Sequence, residues 1–429
     1  GTANVTLSSG AGLDVATAQT VLNTMAYRND SESPNTANRV VTLTTVSDNG
    51  GSANGGIPTA AVGIFSTVTV VGVNDAPVLA GAPYSLPSIT EDTTSSGMRI
   101  STLLTNYTMA DPDGSVLRGI AVITKSGNGI WQYSTDNANW TDFGAVSSTS
   151  ALLLASTTYV RYVPDGANGE TATLTFRAWD QTTGTASVNG IRSTADTTSN
   201  GGTTAFSTVT AVTNQPVTSV NDAPVMTGVL PTLTGLNDTS TNNAGNLVSS
   251  LIGGITDVDT GAVKGIAITG LTGTYGKWQF SLDNGTSWND IGIVSNTAAL
   301  ILRPTDRIRF VPDGIHGETA TITYKAWDQT NGTAGFQGAK IDTSTSGGTS
   351  AYSTVTDIAT VVVTAVNDAP VVTVTGGTSS WTEANNAPSS PVVVDSALTV
   401  SDPDGPNPIS ATARLLTYYS SQDSLGFVN

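Results

Sequence analysis

The sequence predicts an all-β chain: a tandem array of β-sandwich units of about 146 residues, with one short helix near the N-terminus. The first observation is a repeat, because the string VNDAPV occurs at Val73–Val78, Val220–Val225 and Val366–Val371. The second is composition: only 11% of the residues are charged, and turn-forming Gly, Thr, Ser, Asn and Asp are abundant. The third is the alternation of apolar and polar residues with period two in many segments.

The repeat extends well beyond the linker string. The segment RYVPDGANGETATLTFRAWDQTTGTA in the first repeat matches RFVPDGIHGETATITYKAWDQTNGTA in the second. Tryptophans occupy matched places in three pairs: Trp131 with Trp278, Trp140 with Trp288, and Trp179 with Trp327. Side chains this large at matched places predict anchors of a core.

The linker strings divide the chain into four predicted segments. Residues 74–220 and 221–366 are each predicted to be a complete repeat. Residues 1–73 match the C-terminal part of a repeat and residues 367–429 match the N-terminal part, so each is interpreted as part of a split sandwich. Two interpretations stay open: the chain is a section of a longer array, or its two ends complete one another between neighbouring chains.

Local patterns predict individual strands, turns and the helix. Period-two alternation predicts strands at Ser66–Val73, Ala172–Asp180 and Ala359–Val366. The string SLDNGTSW at Ser281–Trp288 contains Asn-Gly, which favours a hairpin turn. Asp14–Asn29 begins with a capping-type Asp and has apolar residues at helical spacing, so it predicts the helix. A repeat this long also predicts an extra hairpin or long loops beyond a seven-stranded sandwich.

Charge and composition argue against several classes of function. The net charge is −17 with five lysines, so a nucleic-acid partner is not expected, because phosphates require a cationic surface. No apolar stretch approaches the length of a membrane span, and the opening residues lack the features of a signal peptide. His316 is the only histidine and there is no cysteine, so neither a catalytic triad nor a zinc cluster is predicted, and no enzymatic activity is expected.

Oxygen-bearing side chains recur at fixed distances from each linker. An Asp pair follows the linker Asp by 36, 35 and 34 residues, a further acid follows it by about 16, and another Asp ends the string AWD or its counterpart VSD. The candidates are Asp48, Asn74, Asp75, Glu91, Asp111, Asp113, Asp180, Asn221, Asp222, Asp238, Asp257, Asp259, Asp328, Asn367, Asp368, Glu383, Asp402 and Asp404. Ca²⁺ takes about six to eight oxygen ligands in a tolerant geometry, so these groups predict calcium at the junctions. The string DPDG also forms a type I turn without any metal.

The linker string and the acids that follow it resemble the bacterial cadherin-like repeats of giant secreted surface adhesins, including VCBS-type repeats. The resemblance covers essentially the whole chain and implies Ig-like and cadherin-like sandwiches, calcium at the junctions and an extracellular location. It also implies that Asn74, Asp75, Glu91, Asp111, Asp113 and Asp180, with their counterparts in the second repeat, are ligands. The second repeat departs from the pattern, since Asp238 replaces the Glu and Thr260 separates the Asp pair from its Gly.

These observations predict a structural and adhesive role. The chain is expected to be an extender segment of a bacterial surface protein or fibre, with Ca²⁺ making its junctions rigid. Its expected partners are neighbouring repeats or identical chains end to end, the latter in a homopolymeric extracellular filament. A third alternative is the binding of surface glycans through exposed aromatic residues, namely Trp381, Tyr418 and Tyr419.

Overall fold

The structure is a computed structural model that describes residues 3–114, 118–331, 337–387, 389–405, 410–417 and 419–426. The chain divides into two compact units, Gly1–Val220 and Asn221–Asn429. Each unit holds one β-sandwich and two additional two-stranded sheets, one of them in a terminal segment, which confirms the predicted all-β fold class. In the part of the chain that the structure describes, no helix has the length and apolar character that a membrane span requires. The finer division into four segments stays a prediction.

Most strands of the first unit are only two to five residues long. In chain order they are α1 (Val15–Asn23), β1 (Arg39–Ser47), a 3₁₀ turn (Ala53–Gly55), β2 (Thr59–Val68), β3 (Val78–Ala80), β4 (Tyr84–Ser85), β5 (Ile89–Thr90), β6 (Met98–Arg99), α2 (Ile100–Leu104), β7 (Thr108–Ala110), β8 (Gly119–Lys125), β9 (Ile130–Ser134), β10 (Thr141–Asp142), β11 (Ala151–Ala155), β12 (Tyr159–Val163), β13 (Glu170–Trp179), β14 (Thr194–Ala195) and β15 (Phe206–Thr218).

The elements of the second unit follow the same order. They are β16 (Val225–Met226), β17 (Leu236–Asn237), β18 (Asn246–Leu247), a 3₁₀ turn (Val248–Ser250), β19 (Ile255–Thr256), β20 (Gly265–Leu271), β21 (Gly276–Ser281), β22 (Asn289–Asp290), β23 (Ala299–Leu302), β24 (Arg307–Pro312), β25 (Glu318–Trp327), β26 (Lys340–Ile341), β27 (Tyr352–Thr364), β28 (Val371–Thr373) and β29 (Thr399–Ser401).

The sandwich of the first repeat consists of a large and a small sheet. The large sheet has the order β14-β11-β8-β13-β15-β4, with β5 also paired to β15, and the small sheet has the order β10-β9-β12-β6. The predicted alternation in β13 is confirmed, because Ala172, Leu174 and Phe176 are buried while the threonines between them are half-buried. Side chains of both sheets, including Trp131 and Tyr162, share one buried core.

Two early strands of the first repeat pair in parallel with its last strand. β15 is 13 residues long and runs through the repeat to the next linker. β4 and β5 lie alongside it in parallel, with Tyr84 opposite Thr213 and Ile89 opposite Val217. Its other neighbour, β13, pairs with it antiparallel.

The outer face of the large sheet is also covered. Leu153, Trp179 and Phe206 form a second buried cluster there, and the long connection between β13 and β15 packs on it through Ala186 and Ala195. Close packing of the indole requires a glycine at the start of β8, because a Cβ on Gly119 would lie 2.8 Å from Cε3 of Trp179. This connection is the extra length that the repeat period predicts.

The second repeat reproduces this architecture except that a single bridge between Thr232 and Thr360 takes the place of β4. Its large sheet has the order β17-β27-β25-β20-β23-β26 and its small sheet the order β18-β24-β21-β22. Trp278 lies in the core between the sheets, and Trp327 in the cluster on the outer face. The predicted hairpin turn joins β21 to β22, with Asn284 at φ 59° and Gly285 at φ 94°.

One tryptophan pair differs from the prediction of core anchors. Trp140 and Trp288 are half-buried. The guanidinium carbon of Arg161 lies 4.2 Å from the ring centroid of Trp140, and that of Arg309 lies 4.1 Å from Trp288. These two indoles therefore pack under arginines at the surface, where a cation over the ring face is favourable.

Both terminal segments contain an antiparallel strand pair with exposed apolar side chains. β1 pairs antiparallel with β2 in the N-terminal segment, and β28 with β29 in the C-terminal segment. The predicted helix forms with Asp14 as its N-cap, but it ends at Asn23 rather than Asn29. The hydroxyl of Thr24 bonds to the carbonyl of Val21 at 2.9 Å and closes the last turn.

Two predicted strands end earlier than the alternation suggested. β2 ends at Val68, which pairs with Arg39, the first residue of β1. β27 ends at Thr364, just beyond Val363, which pairs with the first residue of β25. In both cases the strand stops where its partner stops, because the alternating residues beyond that point have no ladder to join.

Candidate metal centre

The first linker is fastened to the repeat that follows it. The side-chain nitrogen Nδ2 of Asn74 donates to Oδ2 of Asp180 at 3.1 Å, and the backbone N–H of Asp75 donates to Oδ2 of Asp113 at 2.6 Å. The backbone N–H of Ala76 donates to the carbonyl of Gly202 at 2.7 Å. Predicted site residues that are far apart in sequence are therefore brought to one place.

The string DPDG supplies the next two carboxylates through a tight turn. Gly114, at φ +69°, donates its N–H to the carbonyl of Asp111 at 3.0 Å. Oδ1 of Asp111 accepts the N–H of Asp113, also at 3.0 Å. These bonds confirm the prediction that DPDG forms a turn. The turn also brings both Asp side chains to the linker, so turn and candidate site are the same structure.

Electrostatics in this cluster are unfavourable without a cation. Burial raises the pKa of Asp111 above its ordinary value, and the negative charges of three neighbouring carboxylates raise it further. None of the ion pairs in the described part of the chain involves a member of this cluster. The repulsion between these carboxylates therefore has no lysine or arginine partner to offset it.

Asp180 occupies a strained turn at the end of β13. The residue after it, Gln181, has φ +68°, and its side-chain nitrogen donates to the carbonyl of Arg118 at 2.8 Å. Oδ1 of Asp180 accepts the backbone N–H of Thr182 at 2.8 Å and its hydroxyl at 2.7 Å. Asp180 itself is completely buried. Sequence reasoning missed Gln181 and Gly202, although both recur at matched positions in the second repeat, as Gln329 and Gly348.

The second repeat builds the same arrangement from residues of the same types. Nδ2 of Asn221 donates to Oδ2 of Asp328 at 2.9 Å. The N–H of Asp222 donates to Oδ2 of Asp259 at 2.8 Å, and the N–H of Asp259 donates to Oδ1 of Asp257 at 3.0 Å. The inserted Thr moves the turn hydrogen bond by two residues, to Asp259 and Ala262 at 3.1 Å, without dispersing the acids.

A cationic side chain lies beside this second cluster. Burial raises the pKa of Asp257, and the charges of Asp259 and Asp328 add to the rise, whereas the ammonium group of Lys264 opposes it. Nζ of Lys264 is held by the carbonyl of Ile255 at 2.6 Å. Within the described residues, Oδ2 of Asp257 is buried and accepts no hydrogen bond.

The acid about 16 residues after the first and second linkers lies at the far end of its own repeat. Glu91 is 2% exposed, and its Oε1 accepts the N–H of Val220 at 2.7 Å. Asp238 is fully buried, and its Oδ2 accepts the N–H of Val366, also at 2.7 Å. The second oxygen of each carboxylate, Oε2 and Oδ1 respectively, is buried and has no hydrogen-bond partner among the described residues. A buried anionic oxygen without a donor is costly and calls for a partner.

At the third linker, the far-end acid Asp238 and the linker cluster both lie in the second unit, so their relation can be described. The N–H of Asp368 donates to Oδ2 of Asp404, and the N–H of Asp404 donates to Oδ1 of Asp402 at 3.1 Å. Asp238 bonds to the amide only two positions before Asp368. Consecutive Cα atoms are about 3.8 Å apart, so the two backbone amides to which Asp238 and Asp404 bond lie within roughly 8 Å of each other. Oδ2 of Asp368 is also buried without a partner in the part of the chain described.

Two predicted ligands are not brought into any cluster. Asp48 is exposed and accepts the N–H of Gly50 at 2.8 Å in a local turn. Glu383 is exposed in the C-terminal segment. The geometry therefore gives these two acids no place in a shared site within the described residues.

The single histidine and the exposed aromatics lie elsewhere. Nδ1 of His316 contacts Oδ2 of Asp313 at 2.7 Å, and its ring stacks on Tyr275 with centroids 4.0 Å apart. Trp381 and Tyr419 are 52% and 67% exposed, and Tyr418 lies outside the described residues.

Comparison with known proteins gives no family. No protein-family model matches the chain, and no curated protein matches it. Solved structures with partial similarity include human mucin-like protocadherin EC1-2 (TM-score 0.32, 10% identity, 68% of this chain and 98% of that one). Human CDH23 EC21-23 has a TM-score of 0.33 and 12% identity, over 76% of this chain and 85% of that one.

An enzyme is also among these structures. An endo-fucoidan hydrolase of glycoside hydrolase family 107 has a TM-score of 0.21 and 15% identity over 77% of this chain, which spans only 34% of the length of that enzyme. TM-scores this low carry no argument about function. The fold of this chain is established by its own sheet topology.

Proposed function

We propose that this chain is a structural extender segment of an extracellular adhesive protein of the bacterial surface, and that Ca²⁺ at the linker clusters restricts the motion of each linker. The observation that carries the proposal is the pattern of buried carboxylate oxygens without donors. Oε2 of Glu91, Oδ1 of Asp238 and Oδ2 of Asp368 share this property among the described residues. A protein seldom leaves such groups without a partner, and a bound cation is a partner that the chain itself does not contain.

The donor set fits calcium better than other metals. The clustered groups are carboxylates with backbone carbonyls nearby, and they include neither a thiol nor an imidazole. Hard oxygen ligands in a tolerant geometry suit Ca²⁺, whereas zinc prefers sulfur and nitrogen. The residues that would hold the ion are the linker Asp and the Asp pair of each cluster, for example Asp75, Asp111 and Asp113 in the first repeat.

The ion would act through electrostatics and linkage. When bound, it supplies the positive charge that the crowded carboxylates lack. Because it binds the ordered linker and not a disordered one, it stabilises the ordered state by mass action. Extracellular calcium modules commonly bind at about 10⁻⁴–10⁻³ M, which is the range expected here.

Calcium titration combined with small-angle X-ray scattering tests this proposal on the full chain. We expect saturable calcium binding by calorimetry, and scattering that shows a more flexible chain in chelator while circular dichroism retains its β-sheet signal. Magnesium at equal concentration is the control, since its strict octahedral preference predicts weaker binding. Absence of calcium binding, or identical scattering with calcium and with chelator, would refute the proposal.

Self-association is a second candidate, favoured by the N-terminal hairpin. Val40, Ile64 and Phe65 on β1 and β2 are 61%, 66% and 68% exposed. An exposed strand pair with a strongly apolar surface favours pairing with another polypeptide. Sedimentation velocity at increasing concentration separates the candidates: growing oligomers would support association of identical chains, and a constant monomer would exclude it.

A further inference from the structure

The side-chain amide of each linker asparagine faces only hydrogen-bond acceptors. Nδ2 of Asn74 lies 3.1 Å from Oδ2 of Asp180 and 3.2 Å from the carbonyl of Thr204. Nδ2 of Asn221 lies 2.9 Å from Oδ2 of Asp328 and 3.4 Å from the carbonyl of Ser350. Since these neighbours can only accept, the amide must present its NH₂ group to them and turn its oxygen away.

Each carboxylate that receives one of these amides already accepts three hydrogen bonds. In Asp180, Oδ1 accepts two hydrogen bonds from Thr182 and Oδ2 accepts one from Asn74. In Asp328, Oδ1 accepts two from Thr330, at 2.8 and 2.6 Å, and Oδ2 accepts one from Asn221. Neither Asp is exposed by more than 2%. This contrasts with the buried oxygen of Asp238, which has no donor among the described residues.

We propose that the Asn74–Asp180 and Asn221–Asp328 pairs are cation-independent latches, which hold each linker to the repeat that follows it, and that neither pair supplies calcium ligands. The hydrogen bonds alone support the latch. The statement that these residues are not calcium ligands rests, in addition, on the proposed function. This assignment reverses the role that the sequence resemblance implied for these four residues.

A second hydrogen bond fastens the same linker residues without a cation. The N–H of Ala76 donates to the carbonyl of Gly202, and that of Ala223 donates to the carbonyl of Gly348, both at 2.7 Å. Each acceptor belongs to a Gly-Gly turn in which the second glycine has φ +55°. The latch therefore consists of a side-chain bond and a backbone bond separated by one residue.

The third linker provides an internal contrast. Asn367 is exposed, and its Nδ2 donates to the carbonyl of its own neighbour Asp368 at 3.0 Å. No Asp at the end of a β13-type strand contacts it in the described residues. The linker asparagine is thus ordered and half-buried where a latch partner is present, and exposed where none is.

Substituting Asn74→Asp separates a latch from a ligand, because the two roles predict opposite results. As a ligand, the new carboxylate would keep its oxygen and bind calcium at least as tightly. If Asn74 is a latch, the new carboxylate has no N–H to donate to Asp180 or to the carbonyl of Thr204. The linker would then be released in chelator. The chain has no cysteine, so a single spin label at Val73→Cys, a 61% exposed position, reports on linker mobility alone.

In chelator, we expect the spin label to be immobile in the chain that carries only Val73→Cys. In the chain that also carries Asn74→Asp, we expect the label to be mobile. The mobile fraction should rise roughly tenfold or more, since a hydrogen bond to a charged group is lost. The double variant Asn74→Asp/Asp180→Asn restores a donor–acceptor pair and should immobilise the label again, while an unchanged circular dichroism signal checks that the single variant folds. Asn367→Asp, with a label at Val366→Cys, is the matched control and should change nothing.

Two results would overturn the latch: a mobile label in chelator without any Asn74 substitution, or an immobile label in Asn74→Asp with calcium affinity unchanged or increased. If no variant binds calcium, the proposed function fails, while the chelator arm still decides whether the latch exists.

Discussion

The two repeats keep the same linker geometry although their acids differ. The linker amide lies 3.1 Å from its Asp in the first repeat and 2.9 Å in the second, and the backbone bond to the Gly-Gly turn is 2.7 Å in both. The spacing and turn of the Asp pair differ, and Glu91 is exchanged for Asp238. The comparison teaches that the hydrogen-bonded frame is fixed by turns, while the carboxylates that extend from it tolerate change.

The repeats differ more deeply in one buried acid. Asp357 on β27 is 3% exposed, whereas Ala211 occupies its place on β15. Its oxygens accept the N–H groups of Val229 and Leu230 at 3.0 and 3.1 Å. Leu230 has φ +53°, so the second repeat uses a buried carboxylate to hold a strained loop, at the place where the first repeat has Ala82 and Pro83.

The largest expected effect comes from the tryptophan on the outer face of each large sheet. Trp179→Ala and Trp327→Ala should each destabilise their own repeat by about 3–5 kcal/mol, because a buried indole is replaced by a cavity. Urea unfolding followed by circular dichroism measures this loss. Trp381→Ala is the control, and at an exposed position it should stay within about 0.5 kcal/mol. A large difference between the two losses of stability would show that the two tryptophans do not have the same role in their repeats.

Asp357→Ala should destabilise the second repeat by about 2 kcal/mol at pH 7, because it leaves buried donors without an acceptor. Burial acts to raise the pKa of Asp357, but hydrogen bonds from three backbone amides and Tyr324 outweigh it, and the pKa is lowered. A lowered pKa stabilises the folded state above the unfolded value of about 3.9 and ceases to do so as the pH falls through the folded value.

Unfolding of this variant at a series of pH values checks the sign. The difference from the unsubstituted chain should be constant from about pH 5 to 7 and shrink below about pH 4. Asp357→Asn, which keeps an acceptor but does not titrate, is the matched variant and should lose the pH dependence. A difference that grows on acidification would contradict the role assigned to this carboxylate.

The smallest expected effect concerns calcium affinity in the second repeat. Lys264→Met removes the ammonium group that opposes the rise in the pKa of Asp257, so calcium should bind this cluster about two- to fivefold more tightly, as expected for one partly exposed charge. Arg118→Met is the matched control in the first repeat, where the arginine is exposed. Calorimetric titration in low salt measures the calcium affinity of both variants. Equal changes in affinity would contradict the electrostatic difference between the two clusters.

Much of the architecture could be predicted from the sequence because the chain repeats. Matched Trp131 and Trp278 are buried as predicted, and the Asn-Gly turn at Asn284 is where its positive φ requires it. The gathering of Asp75 with Asp113 also agrees with their recurrence at fixed distances.

Other features depend on contacts that no local pattern reveals. The surface position of Trp140 follows from Arg161 on a neighbouring strand, and the ends of β2 and β27 follow from where their partners stop. The three hydrogen bonds that Asp180 accepts come from Thr182 and Asn74, next to the strained Gln181. An acid count could identify Asp180 as a candidate ligand, but only the donors around it suggest a different role.

The parallel pairing of β15 with β4 and β5 has a mechanical consequence. These short strands follow the entry linker, and β15 leads into the exit linker, so tension applied at both linkers pulls the paired strands in opposite directions along their length. Their hydrogen bonds are then loaded together in shear instead of opening one at a time like a zipper. Each repeat thus has the strand arrangement of a module that resists extension under load.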